Sequence, residues 1–332
     1  MHSQPGQKPE NTLLSAPGGL AVELLNYGAT LKSIKVPAGG GYIDVLLSYP
    51  DDEAYLQDKV YLGATVGRYA GRIDSGLARL QGRQIKLLQN EQNTGHCLHG
   101  GPAGFSHKFW SVCGQTAESI SYEYVSADGD QGFPGCLTAR VCYRLVGPGS
   151  LQIEYTAETD RATLVNLTNH AYFNLNRVNR NIENHELWIN ADRYTPLGEN
   201  SLPTGEIHHV ADTVFDFRHM TRLGVRLSAP DRQLQLAGGY DHYFLLKEVA
   251  QRSDLAAVVY SPESGISMKL STDQPGVQFY SGNWLGSPFK RRAGLCLEFQ
   301  DVPNEPNLEG FKSTLLLPGE TYRRKITLAF EL

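Results

Sequence analysis

The chain has 332 residues, a formal net charge of −5 at pH 7 and 41% hydrophobic residues. This length suffices for a large hydrophobic core, and an acidic balance without a basic run argues against nucleic acid and anionic membranes as partners. The longest apolar runs, such as "DLAAVVY", fall well short of the roughly 20 residues that a membrane span needs, and the start, "MHSQPGQKPENTLL", has no secretory signal pattern.

Alternation of apolar and polar residues is the main pattern along the chain. The first candidate element in chain order is a short helix or turn, "DDEAYLQDK" at 51–59. Alternation then predicts half-buried strands in "CLTARVCYRL" at 136–145 and "LQIEYTAET" at 151–159. A second short helical candidate, "MTRLGVRLS", covers 220–228, and a final strand is predicted in "KITLAFEL" at 325–332.

Turn signals such as "SADGDQGFPG", "VGPGS" and "LPGET" separate these strands. The pattern predicts an all-β fold, a large antiparallel β-sandwich formed by a single domain over 1–332, with a loose polar segment at 1–12. The five cysteines are odd in number and irregularly spaced. This spacing predicts buried free thiols and a reducing cytoplasm as the location.

Two titratable residues stand inside apolar strand-like runs. His170 lies in "NLTNHAYFNL" at 166–175, and Glu298 lies in "CLEFQ" at 296–300. A lone histidine in a strand is commonly structural, but the neighbouring asparagines are expected to hydrogen-bond and orient this imidazole. Alternation places Glu298 on the face opposite Leu297 and Phe299, so it faces either solvent or a polar cavity.

Four further polar residues are embedded in similar runs. They are Arg72 in "GRYAGRI", His99 in "HCLHGGPAGF", Asp241 in "GGYDHYF" and Gln278 in "TDQPGVQFYSGN". Because two glycines follow His99, a tight turn alone explains it as well as a cleft does. The run that contains His99 has no completing ligand cluster nearby, so no metal site is predicted.

Taken together, these segments resemble the aldose 1-epimerase (galactose mutarotase) family over nearly the whole chain and in the same order. The motifs that carry the resemblance are "LHGGPAGF", "DGDQGFPG", "VNLTNHAYFNL", "GYDHYF", "TDQPGVQFYSGN", "CLEFQDVPNEPN" and "STLLLPGE". The resemblance implies a galactose mutarotase-like supersandwich with a sugar cleft across one sheet. It also implies interconversion of the α and β anomers of a free aldose without cofactor or metal.

The resemblance also assigns residues. Carried over by motif, the general base is Glu298 and the general acid is His170, and the implied partner is a small-molecule aldose bound by a monomer or homodimer. The implied substrate-binding residues are Arg72, His99, Asp241 and Gln278. This chain departs from the family at Gly71, where asparagine is common, and at Ser106, where an acidic residue is common. These departures leave the preferred sugar open.

The implied reaction explains the residue types. Ring opening requires a base for the proton of the C1 hydroxyl and an acid for the ring oxygen. Glu298 as carboxylate and His170 as imidazolium supply such a pair near neutral pH.

Three other functions remain open on the sequence. An epimerase of a sugar phosphate needs a cationic pocket, for which Arg68, Arg72, Lys108 and Arg292 are candidates. A glycoside hydrolase needs two carboxylates, for which Asp241 and Glu298 are candidates. A non-catalytic sugar-binding module needs no acid–base pair, so His170 together with Glu298 argues against it.

Overall fold

The computed structural model describes residues 6–178, 181–248 and 254–332, and strands form most of its regular structure. In chain order the strands are β1 (Asn11–Ser15), β2 (Ala21–Leu25), β3 (Thr30–Ala38), β4 (Gly41–Asp44), β5 (Thr65–Val66), β6 (Arg72–Ile73), β7 (Leu77–Leu80), β8 (Arg83–Lys86), β9 (Cys97–Leu98), β10 (Ser111–Gln115), β11 (Ser119–Ser126), β12 (Leu137–Leu145), β13 (Ser150–Thr159), β14 (Thr163–Leu164), β15 (Thr168–Asn169), β16 (Glu186–Ile189), β17 (Ala191–Thr195), β18 (His208–His209), β19 (Thr221–Arg222), β20 (Asp241–Leu246), β21 (Leu255–Tyr260), β22 (Ser267–Thr272), β23 (Gly276–Tyr280), β24 (Cys296–Gln300), β25 (Leu315–Leu316) and β26 (Tyr322–Glu331).

Helices are few and short in the described ranges. The α-helices are α1 (Leu223–Leu227) and α2 (Arg232–Ala237), so the helical candidate at 220–228 is confirmed in part. The other candidate, at 51–59, is a 3-10 helix. The 3-10 segments are Asp52–Gln57, Asp74–Gly76, Phe105–His107, Asp130–Gly132, Ile182–Asn184 and Glu305–Asn307. Among residues 6–178, 181–248 and 254–332, no helix has the length and apolar character needed to cross a membrane.

The predicted strands lie together in the largest sheet. Over the described part of the chain this sheet has nine strands in the order β10-β11-β12-β13-β26-β22-β21-β16-β19. Strands β12, β13 and β26 are adjacent and antiparallel, with Val141 opposite Tyr155 and Ile153 opposite Ile326. Alternate residues of β12 are buried, as the period-two pattern predicted.

Two further sheets pack against the nine-stranded one. Within the same described ranges, β1 to β4 form a four-stranded sheet, and β18-β17-β20-β23-β24 form a five-stranded sheet. One buried apolar cluster joins the three sheets and includes Leu24, Val141 and Phe279. The predicted fold class, a large antiparallel β-sandwich, is therefore confirmed.

Two smaller predictions need correction. Residues 11 and 12 of the segment that was predicted to be loose belong to β1, because Asn11 and Thr12 pair with β2; residues 1–5 lie outside the described residues. All five cysteines are free, but only Cys97 and Cys296 are buried. Cys142 is half-buried because it points away from the core face of β12. That 1–332 forms a single domain stays a prediction.

Candidate active site

One cavity of about 250 Å³ brings the candidate residues together. All six residues named from the sequence line it: Arg72, His99, His170, Asp241, Gln278 and Glu298. Aromatic side chains complete much of its wall, namely Tyr61, Tyr172, Tyr280 and Trp284. A small concave site that mixes apolar walls with convergent polar groups is typical of small-molecule recognition.

The floor of the cavity is the pair of strands β23 and β24. Gln278 lies directly opposite Glu298 in the register of this pair, so both side chains project from the same face of the sheet. Glu298 is only 3% exposed. The alternative in which this carboxylate faces solvent is therefore wrong: one face of β24 contacts the core, and the other faces the cavity.

A short strand and its backbone contacts fix the position of His170. Only Thr168–Asn169 of the run 166–175 forms a strand, β15, because the residues that follow it make isolated contacts with several segments. The backbone N–H of His170 donates to the carbonyl of Ala64 at 2.9 Å, and its carbonyl accepts from Gly63 at 3.0 Å. The main chain on both sides of the imidazole is thereby anchored.

Among the described residues, Asn166 and Asn169 hydrogen-bond backbone groups and Tyr143, and the predicted orientation of the His170 ring by these two amides is not observed. Asn166 donates from its amide to the carbonyls of Ala70 and Asp301, and Asn169 donates to the carbonyl of Gly63. The side chains of Asn166 and Asn169 therefore pair with backbone carbonyls that a regular strand would pair through its ladder of hydrogen bonds.

The imidazole of His170 lies between a thiol and a carboxylate. Its Nδ1 is 3.6 Å from Sγ of Cys296, and its Nε2 is 3.7 Å from Oε1 of Glu298. The rings of His99 and Tyr172 pack against it at centroid distances of 5.2 and 5.0 Å. Burial lowers the pKa of His170 to about 4.

Glu298 is deeply buried and incompletely paired. Its Oε2 has no hydrogen-bond partner among the described residues. Burial raises the pKa of Glu298 well above its usual range; the charge of Asp241 adds to this effect and Arg72 opposes it. Burial thus favours the uncharged forms of Glu298 and His170. The charged forms expected from the sequence require a compensating contact.

Arg72, Asp241 and Gln278 form a network with a residue that the sequence did not reveal. Arg72 donates from Nε and Nη2 to the two carboxylate oxygens of Glu91, both at 2.9 Å. Its Nη1 is 3.5 Å from Oδ2 of Asp241, whose Oδ1 accepts from Nε2 of Gln278 at 2.7 Å. The bidentate pair fixes the guanidinium plane and leaves Nη1 on the side of Asp241.

The sequence left open whether His99 belongs to a tight turn or to a cleft, and in the structure it belongs to both. It has a φ of 52° and lines the cavity. Its Nδ1 accepts from the backbone N–H of Gly71 at 3.1 Å, which places the ring proton on Nε2. Burial lowers the pKa of His99, with smaller contributions from His170 and Arg72. A neutral ring with a fixed N–H donor suits a substrate oxygen.

His99, His170 and Glu298 also approach the geometry of a metal site. One ligand atom from each lies within 4.8 Å of the others. A metal needs an imidazole lone pair, but the Nε2 of His99 carries its proton because Gly71 donates to Nδ1. The imidazole of His99 therefore fits a substrate oxygen better than a cation, and the absence of a metal stays a prediction.

The four cations considered for a phosphate pocket are dispersed. Of Arg68, Arg72, Lys108 and Arg292, only Arg72 lines the cavity. Arg68 is buried and donates to Ser126 and to several carbonyls. Lys108 and Arg292 form ion pairs with acidic side chains elsewhere. The phosphate pocket considered from the sequence is therefore not formed by these four cations; a different cation, Lys59, lines the cavity with Arg72.

Sequence reasoning missed several residues at or behind the cavity wall, among them Glu91, Tyr61 and Gln300. Glu91 lies in the polar segment "NEQN", which has no motif, and Tyr61 lies in an ordinary apolar run. Gln300 lines the cavity two residues after Glu298 on β24. Strand alternation alone places it on the same face as Glu298, so that signal was present.

Comparison with known proteins agrees with the resemblance seen in the sequence. The family model described as aldose 1-epimerase matches residues 11–329. The aldose 1-epimerase of Escherichia coli K12 is 37% identical over 314 residues, which cover 92% of this chain and 90% of that protein. Human galactose mutarotase is 38% identical over 313 residues, which cover 91% and 89%.

Solved structures show the same likeness. A galactose 1-epimerase from Lactobacillus acidophilus has a TM-score of 0.87 and 29% identity, covering 100% of this chain and 97% of that one. An aldose epimerase homologue from C. elegans has a TM-score of 0.89 and 29% identity, covering 97% and 99%. With the family model and the curated relatives, these matches lead to one conclusion: the chain belongs to the aldose 1-epimerase family.

Proposed function

We propose that this chain interconverts the α and β anomers of a free aldose, with Glu298 as general base and His170 as general acid. The observation that carries the proposal is their mutual position: Oε1 of Glu298 and Nε2 of His170 are 3.7 Å apart in a cavity lined by hydrogen-bonding groups. A base and an acid that face the same small space can act on two oxygens attached to one carbon.

The proton transfers balance over a complete turnover. Glu298 removes the proton of the C1 hydroxyl while His170 protonates the ring oxygen, so the bond between C1 and the ring oxygen breaks and an aldehyde forms. Rotation about the C1–C2 bond exposes the other face of the aldehyde. His170 then removes the proton from the former ring oxygen as that oxygen attacks C1, and Glu298 returns its proton to the new C1 hydroxyl. The C1–H bond stays intact throughout.

The remaining polar residues bind and orient the sugar. Asp241 accepts hydrogen bonds and Arg72 donates them, and Glu91 holds the guanidinium in place. His99 offers its Nε2–H, and Gln278 has an Oε1 without a partner among the described residues. These groups supply the mixed donors and acceptors that sugar hydroxyls require.

The reaction begins when Glu298 and His170 together hold one proton more than a carboxylate and a neutral imidazole. Glu298 as acid with neutral His170, and Glu298 as carboxylate with His170 as imidazolium, hold the same number of protons. Before substrate binds, burial favours the first form. A C1 hydroxyl that donates to Glu298 stabilises the carboxylate, so substrate binding favours the second form.

The rate should depend on pH in a bell shape, because the pair works only in its one-proton state. The pKa of His170 is lowered to about 4, so a second proton binds and kcat/KM falls as the pH drops toward 4. The pKa of Glu298 is raised, so the alkaline limb lies well above the ordinary carboxyl range. Initial rates corrected for spontaneous mutarotation test this, and a rate independent of pH across the acid limb would contradict it.

Polarimetry distinguishes the proposal from the alternatives. Freshly dissolved α-D-glucose and α-D-galactose should approach their usual final rotations faster with the protein than without it. Acceleration confined to glucose 6-phosphate would favour a sugar-phosphate epimerase, and release of reducing sugar from a methyl glycoside would favour a hydrolase. Sugar binding without either activity would indicate a binding module.

Location and assembly belong to the same proposal. Free cysteines are consistent with a reducing cytoplasm, and the whole set of proposed residues lies in one chain. A monomer and a homodimer therefore both remain compatible with the proposed reaction.

A further inference from the structure

Gln300 is a buried amide that the reaction above does not use. Its side chain is 0% exposed and lines the cavity. Both Nε2 and Oε1 lack a hydrogen-bond partner among the described residues. Buried side-chain polar atoms are almost always paired, and leaving them unpaired is unfavourable. An amide with two unpaired atoms that faces a binding cavity therefore points to a ligand.

The glycine at position 71 accounts for the unpaired amide. A Cβ added to Gly71 would lie 3.3 Å from Nε2 of Gln300 and 2.9 Å from Cβ of Pro303. Any longer side chain at this position would project beside the amide of Gln300. Gly71, with a φ of +80°, adds no side chain there, and together with Gln300 and Pro303 it lines one corner of the cavity.

The distance along β24 indicates which part of the sugar this corner meets. Gln300 follows Glu298 by two residues, so the two side chains share a face and are separated by about 7 Å along the strand. Glu298 is placed at the C1 hydroxyl by the proposed reaction. A side chain about 7 Å from Glu298 along the strand therefore faces a hydroxyl on the other side of the pyranose ring.

We propose that Gln300 is a substrate-binding residue that recognises one sugar hydroxyl remote from C1, in the corner lined by Gly71, Gln300 and Pro303. A hydroxyl is the matching group because it donates to Oε1 and accepts from Nε2 at once. The inference rests on the proposed function, since it uses Glu298 to orient the ring. It adds a specificity-determining contact that the six residues named from the sequence do not include.

Another buried glutamine provides a matched comparison. Gln274 is also 0% exposed, but it does not line the cavity. Its Oε1 accepts from Nε of Arg324 at 2.8 Å, and its Nε2 donates to the carbonyl of Leu167 at 3.5 Å. A glutamine whose role is structural is thus paired in this fold, in contrast to Gln300.

The test substitutes methionine, which keeps the length and burial of glutamine without its polar atoms. Gln300→Met should raise KM for the preferred aldose by about tenfold, the effect of losing a hydrogen bond to substrate. Its Tm should stay the same or rise, because two unpaired buried atoms are removed. Gln274→Met should show the reverse pattern, a lower Tm and an unchanged KM.

A series of monodeoxy sugars identifies the hydroxyl. The KM difference between wild type and Gln300→Met should vanish for the one analogue that lacks the recognised hydroxyl and persist for the others. If the methionine variant does not fold, Gln300→Leu serves for the same comparison. An unchanged KM with a lower Tm, or an equal penalty on every analogue, would overturn the inference while leaving the proposed function intact. Absence of any acceleration by the wild type would overturn both.

Discussion

Glu298→Gln is expected to lower kcat for anomer interconversion by about 10²–10⁴-fold, since it removes the proposed general base. The substitution is nearly isosteric, and burial raises the pKa of Glu298, so the folded protein holds its carboxylate form unfavourably. A raised pKa in the folded state adds to the free energy of unfolding below the ordinary carboxyl pKa. This contribution is lost as the pH rises through the raised pKa of Glu298. The Tm of the variant should therefore match or exceed that of the wild type, and the difference should widen with pH.

Glu305→Gln is the matched control for this variant. Glu305 is also buried, with a raised pKa, but its Oε2 accepts from the backbone and hydroxyl of Thr314 outside the cavity. Its substitution should change Tm without changing kcat. Near wild-type turnover in Glu298→Gln would show that another group removes the proton of the C1 hydroxyl.

His170→Asn is expected to cost a similar factor in kcat, about 10²–10⁴-fold, because the ring oxygen then lacks its acid. The acid limb of the pH profile near pH 4 should also disappear from the residual rate, since that limb is assigned to His170. Time courses of the anomer ratio over a pH series, with the spontaneous rate subtracted, give both kcat and the acid limb of the pH profile.

His185→Asn separates this effect from general damage. His185 is buried, and its pKa is likewise lowered to about 4 by burial, yet its Nε2 accepts from the backbone N–H of Leu175 away from the cavity. This variant should lose stability and keep its kcat and its acid limb. An acid limb that survives in His170→Asn would assign that titration to a different group.

Much of the fold followed from local patterns. Period-two alternation predicted β12, β13 and β26 because these strands bury one face against the core. Motif order predicted the six site residues, and all of them line one cavity. Their catalytic and binding roles stay predictions until variants are measured.

Features that depend on distant partners could not be predicted. Asn166 hydrogen-bonds Asp301, which is 135 residues away, so local sequence wrongly suggested that its amide orients the imidazole. Glu91 pairs with Arg72 from a loop without a motif. The face occupied by Glu298 and the direction of its pKa shift depend on three-dimensional burial, which a single strand does not encode.

Magnetisation exchange between the α and β anomeric proton signals of equilibrated D-galactose in D2O tests the proposed reaction most directly. Wild-type protein should increase the exchange rate without altering the anomer ratio or replacing the C1 proton by deuterium, because ring opening leaves the C1–H bond intact. The same concentration of Glu298→Gln should leave the rate close to that of buffer. Equal exchange with both proteins, or loss of the C1 proton signal, would contradict acid–base ring opening by Glu298 and His170.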